Sequence, residues 1–234
     1  MRTADRAVRA LLESIATGGY PVGSELPAET ELARELGMSR LSVREAVREL
    51  SLDGVIDVQQ GRRNRVAPLD RWSVLSPAIV ATRARLDRDS DSLLTDLLEA
   101  RLVIEVEIAR LAATRISDRD LTRMRDALAQ MHRTCESEDP TDIEHNLAAD
   151  IEFHEAIVDG AANAYLASIY RPLRDILRAV RTRTSALLSV RREAASWHER
   201  LLDAMEAGDA DAAADAMTGH MLQTRRAMQA ISFP

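Results

Sequence analysis

One aspartate and three histidines in the C-terminal half of the chain have the types and spacing of metal ligands. Asp150 and His154 are four residues apart, so on a helix they would share one face with their β carbons about 6 Å apart. His198 and His220 follow, each within an apolar pattern of helical period. Because such side chains are costly to bury without partners, and imidazole and carboxylate groups both bind zinc, we predict a divalent metal site at these four residues.

A single histidine on an apolar helix face is more often a hydrogen-bonded core residue than a ligand. The metal interpretation therefore depends on the coincidence of three such histidines with an aspartate in phase with the first. The mixed nitrogen and oxygen set suits zinc first, with nickel or manganese as alternatives. His132 and His145 lie off these apolar faces, and we expect both to be solvated.

The elements that must position these ligands are helices. From residue 90 onward, apolar residues recur at helical spacing and are interrupted by capping and turn residues. This pattern predicts an antiparallel α-helical bundle over 90–234, with a polar site built from inward-facing side chains. The six predicted helices are 91–115, 118–136, 141–159, 163–183, 191–207 and 209–231.

The first 68 residues follow a different pattern. A helix over 7–16 and a turn-rich segment precede two short helices joined by Gly37-Met-Ser39, and a strand from Val55, a turn at 60–64 and a return strand from Arg65 follow. Helix-turn-helix plus hairpin is typical of a winged DNA-binding domain. The sequence thus predicts a mainly α protein, with this domain at 1–68, a linker containing a short helix at 69–89, and the bundle at 90–234.

Basic residues are concentrated where such a domain would contact DNA. Arg40, Arg44 and Arg48 recur every four residues on the second short helix, and Arg62 lies in the hairpin turn. Guanidinium groups on a helix in the major groove can pair with guanine edges or neutralise phosphates. The alternative is an ordinary solvated face, partly neutralised by Glu45 and Glu49. Their place in a winged motif favours DNA contact.

Composition limits the remaining possibilities. The chain has 234 residues, a net charge of −7, 31 basic residues, all of them arginine, and one cysteine. A single cysteine excludes an intramolecular disulfide and a cysteine-based metal motif. The N-terminal segment lacks an apolar signal sequence, and no run of 18 apolar residues occurs. We therefore expect no membrane association, and a cytoplasmic location.

Two long segments of the chain resemble a known family. The stretch LPAETELARELGMSRLSVREAVREL at 26–50, with Asp53-Gly-Val-Ile and Gln60-Gly-Arg, looks like the DNA-binding domain of GntR-type bacterial transcription regulators. The set Asp150-x-x-x-His154, His198 and His220, with Arg101 in Glu-Ala-Arg-Leu-Val-Ile-Glu, is similar to the FCD ligand-binding domain of the FadR subfamily. The two resemblances together cover nearly the whole chain.

This resemblance implies a homodimer that binds a short palindromic operator in double-stranded DNA, with an affinity altered by a small organic acid effector at the metal. By matching positions, it implies metal ligation by the four residues above. It also implies DNA contacts from the recognition helix and the wing, made by Ser39, Arg40, Ser42, Arg44, Gln60 and Gly61.

Two further residues are candidates for binding the effector. Arg101 lies in an apolar stripe, where a buried guanidinium needs a carboxylate. Either Glu105, one turn later, supplies it, or Arg101 binds the carboxylate of the effector. Asn163 precedes a predicted helix and could contact the effector or merely cap that helix.

Two alternative functions would use the same ligands. A metal-sensing regulator without an organic effector fits them equally well. A metal-dependent hydrolase would need a general base, and the nearby Glu155 lies about 100° around the helix from His154. We therefore expect a DNA-binding regulator, with repression as its mode of action, and no enzymatic activity.

Overall fold

The N-terminal residues form helices packed around one apolar core. In the computed structural model, which describes residues 3–59, 61–87, 90–184 and 187–232, these are α1 (Thr3–Ala16), α2 (Glu29–Glu35) and α3 (Arg40–Leu52). Each helix buries an apolar stripe of helical period, represented by Leu11, Leu32 and Val43, and all three side chains are 1% exposed or less. Helical periodicity in the sequence was thus sufficient to predict this part of the fold.

The turn between α2 and α3 is fixed by local chemistry. Gly37 has a φ of 62°, a left-handed conformation that glycine adopts without steric cost. Ser39 is the N-cap of α3, and its hydroxyl accepts a hydrogen bond from the backbone N–H of Ser42 at 3.1 Å. These two residues determine where α2 ends and α3 begins.

The predicted hairpin is present but short. Strand β1 (Ile56–Asp57) pairs antiparallel with β2 (Arg65–Val66), with Ile56 opposite Val66. The other side of β2 is also paired, because Glu25 forms an isolated bridge with Arg65. The expected strand from Val55 to Gln59 thus contributes only two residues to the ladder.

The segment expected to be a linker belongs to the N-terminal unit. Trp72 and Ile79 are buried in its core, and the indole of Trp72 donates to the carbonyl of Ala67 at 2.9 Å. The segment contains a 3-10 turn (Leu69–Arg71) and α4 (Pro77–Leu86). The structure accordingly divides into compact units at residues 1–90 and 91–234.

The backbone of this segment packs closely against the residues that follow α3. The carbonyl oxygen of Arg71 would lie 2.1 Å from a β carbon added at Gly54, whose φ is 72°. Both the conformation and the space therefore require glycine at this position. The backbone N–H of Ser73 also donates to the carbonyl of Asp53 at 2.8 Å.

In its described residues, up to 184 and from 187 to 232, the second unit has six helices around its own core. They are α5 (Ser90–Ala113), α6 (Asp118–Thr134), α7 (Pro140–Gly160), α8 (Ala164–Thr184), α9 (Leu188–Ala207) and α10 (Ala210–Ser232). Six of the core side chains are at most 1% exposed: Ile108, Met124, Phe153, Tyr170, Leu201 and Met217. The order and approximate bounds agree with the six predicted helices.

The mainly α fold class is therefore confirmed, with a winged helix-turn-helix unit followed by a helical unit. Within the described residues, the longer helices all carry too many charged or polar side chains to cross a lipid bilayer.

Candidate metal centre and DNA-binding surface

The four predicted ligands converge on one point in the second unit. Helix α7 supplies Asp150 and His154, α9 supplies His198, and α10 supplies His220. The potential donor atoms all lie within 4.8 Å of one another. The three histidines are at most 2% exposed, and the Asp150 side chain is 16% exposed. Residues that are distant in sequence thus form one buried polar cluster.

The distances within this cluster fit a shared ion. Nε2 of His154 lies 3.2 Å from Nε2 of His220 and 3.4 Å from Nε2 of His198. Oδ1 of Asp150 lies 3.4 Å from Nε2 of His198 and 3.9 Å from Nε2 of His154. Four ligands at about 2.1 Å from one tetrahedral zinc ion would be roughly 3.4 Å apart.

Hydrogen bonding among the rings is a weaker explanation of these distances. A neutral imidazole has one N–H group, and a single proton on Nε2 of His154 can point at only one of its two Nε2 neighbours. Protonating more rings would bury several positive charges together, which is costly. A cation that accepts all the lone pairs satisfies the donor set at once, so the residues present fit a divalent metal.

A buried ion pair lies on the other side of the His154 ring. Nε of Arg101 donates to Oε1 of Glu105 at 2.5 Å, and Oε2 of Glu105 lies 3.5 Å from Nδ1 of His154. Arg101 is fully buried and Glu105 is 2% exposed. Glu105 therefore pairs with Arg101, as the structural alternative expected, but only through Nε. The two terminal nitrogens of Arg101 are buried and have no hydrogen-bond partner among the described residues.

A cavity of about 50 Å³ adjoins the metal cluster. Asp150, His198 and His220 face it, whereas Arg101 is not among the residues that line it. Its polar wall is completed by side chains that the sequence did not single out: Asn146, Arg191, Gln223 and Thr224. The sequence could have identified these four residues. Each lies three, four or seven residues from a proposed metal ligand on the same helix and therefore shares its face.

Arg191 joins this wall to the loop after α6. Its guanidinium donates to the backbone carbonyls of Cys135 at 2.9 Å and Ser137 at 2.6 Å. Burial raises the pKa of the Cys135 thiol, which disfavours the nucleophilic thiolate. Cys135 is itself buried.

Asn163 caps a helix, which is one of its two expected roles. Its side-chain oxygen accepts hydrogen bonds from the backbone N–H groups of Tyr165 at 3.1 Å and Leu166 at 3.2 Å. Asn163 is absent from the cavity lining. A contact between Asn163 and the effector stays a prediction, and we leave this residue out of the site described below.

A tight contact between α9 and α10 places two of the ligands. A β carbon at Gly219 would lie 2.2 Å from Cη2 of Trp197, so the ring occupies the space that any side chain would need. Trp197 directly precedes His198, and Gly219 directly precedes His220. The absence of a side chain at position 219 therefore sets how closely the two ligand-bearing segments approach.

We expect Gly219→Ala to weaken zinc binding and to cost about 1–3 kcal/mol of stability, because the added methyl group overpacks this contact. Adding Trp197→Leu should recover part of the zinc affinity, since the smaller side chain makes room. Zinc titration and melting of both single variants and the double variant test this. Strictly additive effects would show that the two positions are not coupled.

In the described structure, the three arginines predicted to contact DNA from α3 are exposed and form no ion pairs. Arg40, Arg44 and Arg48 lie on the exposed side of α3, beside the stripe of buried valines. In the described part of the chain, no hydrogen bond or ion pair involves them, including any with Glu45 or Glu49. The three guanidinium groups are thus available to phosphates or base edges, as the DNA-binding interpretation requires.

The other predicted contacts differ in accessibility. Ser39, Gly61 and Arg62 are exposed, and Gly61 has a φ of 73° in the hairpin turn. Ser42 is only 6% exposed, and its hydroxyl lies 2.8 Å from that of Ser39. Because the Ser42 hydroxyl is buried and hydrogen-bonded to that of Ser39, we leave Ser42 out of the proposed interface. Gln60 lies outside the described residues.

Comparison with known proteins accounts for both units. The family described as "Bacterial regulatory proteins, gntR family" matches residues 3–66, and the FCD domain family matches residues 96–223. The chain belongs to the GntR family of bacterial regulators and carries an FCD domain. It is a transcriptional regulator, and the proteins it is related to are regulators, not enzymes.

Individual relatives extend over nearly the full length of this GntR regulator. It is 32% identical to the galactonate operon transcriptional repressor of Escherichia coli strain K12, covering 97% of both chains. It is 29% identical to the transcriptional regulator LutR of Bacillus subtilis, covering 88% of this chain and 92% of the other. The solved structure of E. coli McbR/YncC has the same fold, with a TM-score of 0.58 at 18% identity and 99% coverage of each chain.

The structure also argues against the hydrolase alternative. Glu155, the candidate general base, forms ion pairs with Arg174 and, at 3.7 Å, with Arg171. Its carboxylate is therefore engaged away from the metal cluster. This agrees with the regulatory, non-enzymatic character of the relatives.

Proposed function

We propose that this regulator binds a divalent metal in its FCD domain and that a small hydroxycarboxylate, bound beside the metal, changes its affinity for operator DNA. The observation that carries the proposal is the convergence of Asp150 and three histidine Nε2 atoms at the edge of a cavity. When bound, the metal would supply a positive charge that attracts a carboxylate.

Zinc is the metal we propose first, because three imidazoles and one carboxylate form a common zinc donor set. Nickel and manganese accept similar ligands and are the alternatives. Asp150, His154, His198 and His220 would hold the ion, and the three that line the cavity would present it to the effector.

The class of effector is argued from the charges and polar groups near the metal. Within the described residues, the buried terminal nitrogens of Arg101 have no hydrogen-bond partners, and two parallel N–H groups are the preferred partner of a carboxylate. Asn146, Gln223 and Thr224 offer polar groups in the cavity, which suits hydroxyl groups. The relative named for the galactonate operon also points to a hydroxylated carboxylate.

The DNA-bound form is proposed to be a homodimer on a palindromic operator. A single recognition helix reads only a few base pairs, and pairing two of them by twofold symmetry gives a palindromic site. Arg40 and Arg44 would contact the DNA from α3, assisted by Ser39, Arg48, and the wing residues Gln60, Gly61 and Arg62. By analogy with the galactonate repressor, we propose repression that the effector relieves.

The proposal predicts a difference between the two buried arginines. Arg101→Lys keeps a positive charge beside Glu105 but removes the bidentate fork, so we expect effector affinity to fall by about tenfold or more, as for a lost charge-assisted hydrogen bond. Arg191→Lys is the comparison, because Arg191 lines the cavity but already donates to two backbone carbonyls, and we expect a smaller loss from it. Calorimetry with galactonate and L-lactate on the zinc-loaded protein would measure both.

The compound that binds should also weaken binding of the regulator to its operator DNA, with a coupling free energy of about 1–3 kcal/mol between the two sites. The operator for this measurement would be obtained by selection from random duplexes. A larger loss for Arg191→Lys than for Arg101→Lys would assign the carboxylate to Arg191. If metal alone changed operator affinity, and none of a panel of hydroxycarboxylates did, the regulator would be a metal sensor instead.

A further inference from the structure

Glu105 is a buried carboxylate with one oxygen unaccounted for. Its Oε1 accepts a hydrogen bond from Nε of Arg101, but its Oε2 is buried without a hydrogen-bond partner in the part of the chain that the structure describes. The potential donor nearby is Nδ1 of His154, at 3.5 Å. A buried carboxylate oxygen without a donor is unfavourable, so this arrangement calls for an explanation.

The tautomer required of His154 supplies that explanation. Nε2 of His154 faces Nε2 of His198 and Nε2 of His220, so this nitrogen is the one directed at the metal position. A neutral imidazole that offers Nε2 as a ligand carries its proton on Nδ1. His154 is only 2% exposed, so bulk water cannot readily accept a hydrogen bond from that N–H group. Oε2 of Glu105 lies on the Nδ1 side of the ring.

We propose that Glu105 is a positioning residue for the metal centre: its Oε2 accepts a hydrogen bond from Nδ1–H of His154, which holds the ring with Nε2 toward the ion, and Glu105 is itself held by Arg101. Carboxylates commonly orient metal-binding histidines in this way and increase their basicity. This inference rests on the proposed metal binding and adds a residue from α5, a helix that supplies none of the four proposed ligands.

A consequence concerns Arg101. Its Nε is used by Glu105, and its terminal nitrogens are the proposed partners of the effector carboxylate. An effector on Arg101 would thus be connected to the metal by two routes, directly and through Glu105 and His154. Zinc and effector affinities should therefore be reciprocally coupled.

The test compares two carboxylates that differ in their partners. Glu105→Gln should lower zinc affinity, measured by competition with a chromophoric chelator, by about 10–100-fold, as for other partners of metal-binding histidines. Glu155→Gln is the matched control, because Glu155 is also largely buried and paired with an arginine but engages Arg174. It should change zinc affinity by less than about threefold, within the context dependence of such effects.

The wild-type protein provides a second measurement that does not depend on the variant folding. Nitrogen-15 NMR of the zinc-loaded chain should show His154 protonated at Nδ1 and ligated through Nε2. Equal zinc affinities for Glu105→Gln and the wild type, or a His154 ring ligated through Nδ1, would overturn the role of Glu105. A wild-type protein that bound no zinc would instead overturn the proposed function itself.

Discussion

Replacing His198 with alanine is expected to reduce zinc affinity by more than about 100-fold, beyond the usual effect of removing a partner behind a ligand. His198 is fully buried, and its Nε2 lies 3.4 Å from both His154 and Asp150. Its removal leaves three ligands and a space where the ring was. Elemental analysis and zinc titration would measure the loss.

The same substitution should lower the melting temperature in zinc. At a zinc concentration 100 times the dissociation constant, binding adds about 2.7 kcal/mol of stability. For a chain of this size, that corresponds to roughly 5–11 °C. His132→Ala is the control, because His132 is exposed and pairs with Glu199 at 3.0 Å outside the cluster. Equal zinc content in His198→Ala and the wild type would mean that the ligand assignment is wrong.

The second large effect is expected at the DNA surface. The double substitution Arg40→Ala and Arg44→Ala should weaken operator binding by about 2–6 kcal/mol, taking about 1–3 kcal/mol for each contact. Both side chains are exposed and lack partners in the described structure, so the fold should be unaffected. Fluorescence anisotropy at several salt concentrations would measure the operator affinity, and a shallower salt dependence would show that the variant neutralises fewer phosphates.

A control with the same loss of charge separates specific contact from general attraction. Arg6 and Arg9 are exposed on α1 of the same unit, and replacing both with alanine removes two positive charges that are not on α3. We expect this variant to retain most of its operator affinity. If both double variants weakened binding equally, recognition by α3 would be refuted.

The sequence predicted most of this architecture because its information is local. The apolar period around His154, His198 and His220 placed each ligand on the inner face of a helix, and helices that bury such faces must bring the ligands together. The Gly37 and Ser39 turn likewise located α2 and α3. In each case one segment contained the whole signal.

What the sequence missed depends on contacts between segments. Glu105 was identified as a possible partner of Arg101 one turn away, but its approach to His154 depends on how α5 packs against α7. Residues 69–89 were predicted to be a linker, because the neighbouring sequence does not indicate that Trp72 and Ile79 pack into the core of the first unit. Arg191 could have been found from its seven-residue spacing to His198, but its carbonyl partners could not.

The distribution of the ligands over three helices has a consequence for the lifetime of the regulator. A protease can cleave the bundle only after its helices separate locally. An ion held by α7, α9 and α10 would oppose that separation. Degradation in a cell follows the population of opened molecules, so metal-free chains should be removed faster than loaded ones. Metal supply would then set the number of regulator molecules as well as their occupancy.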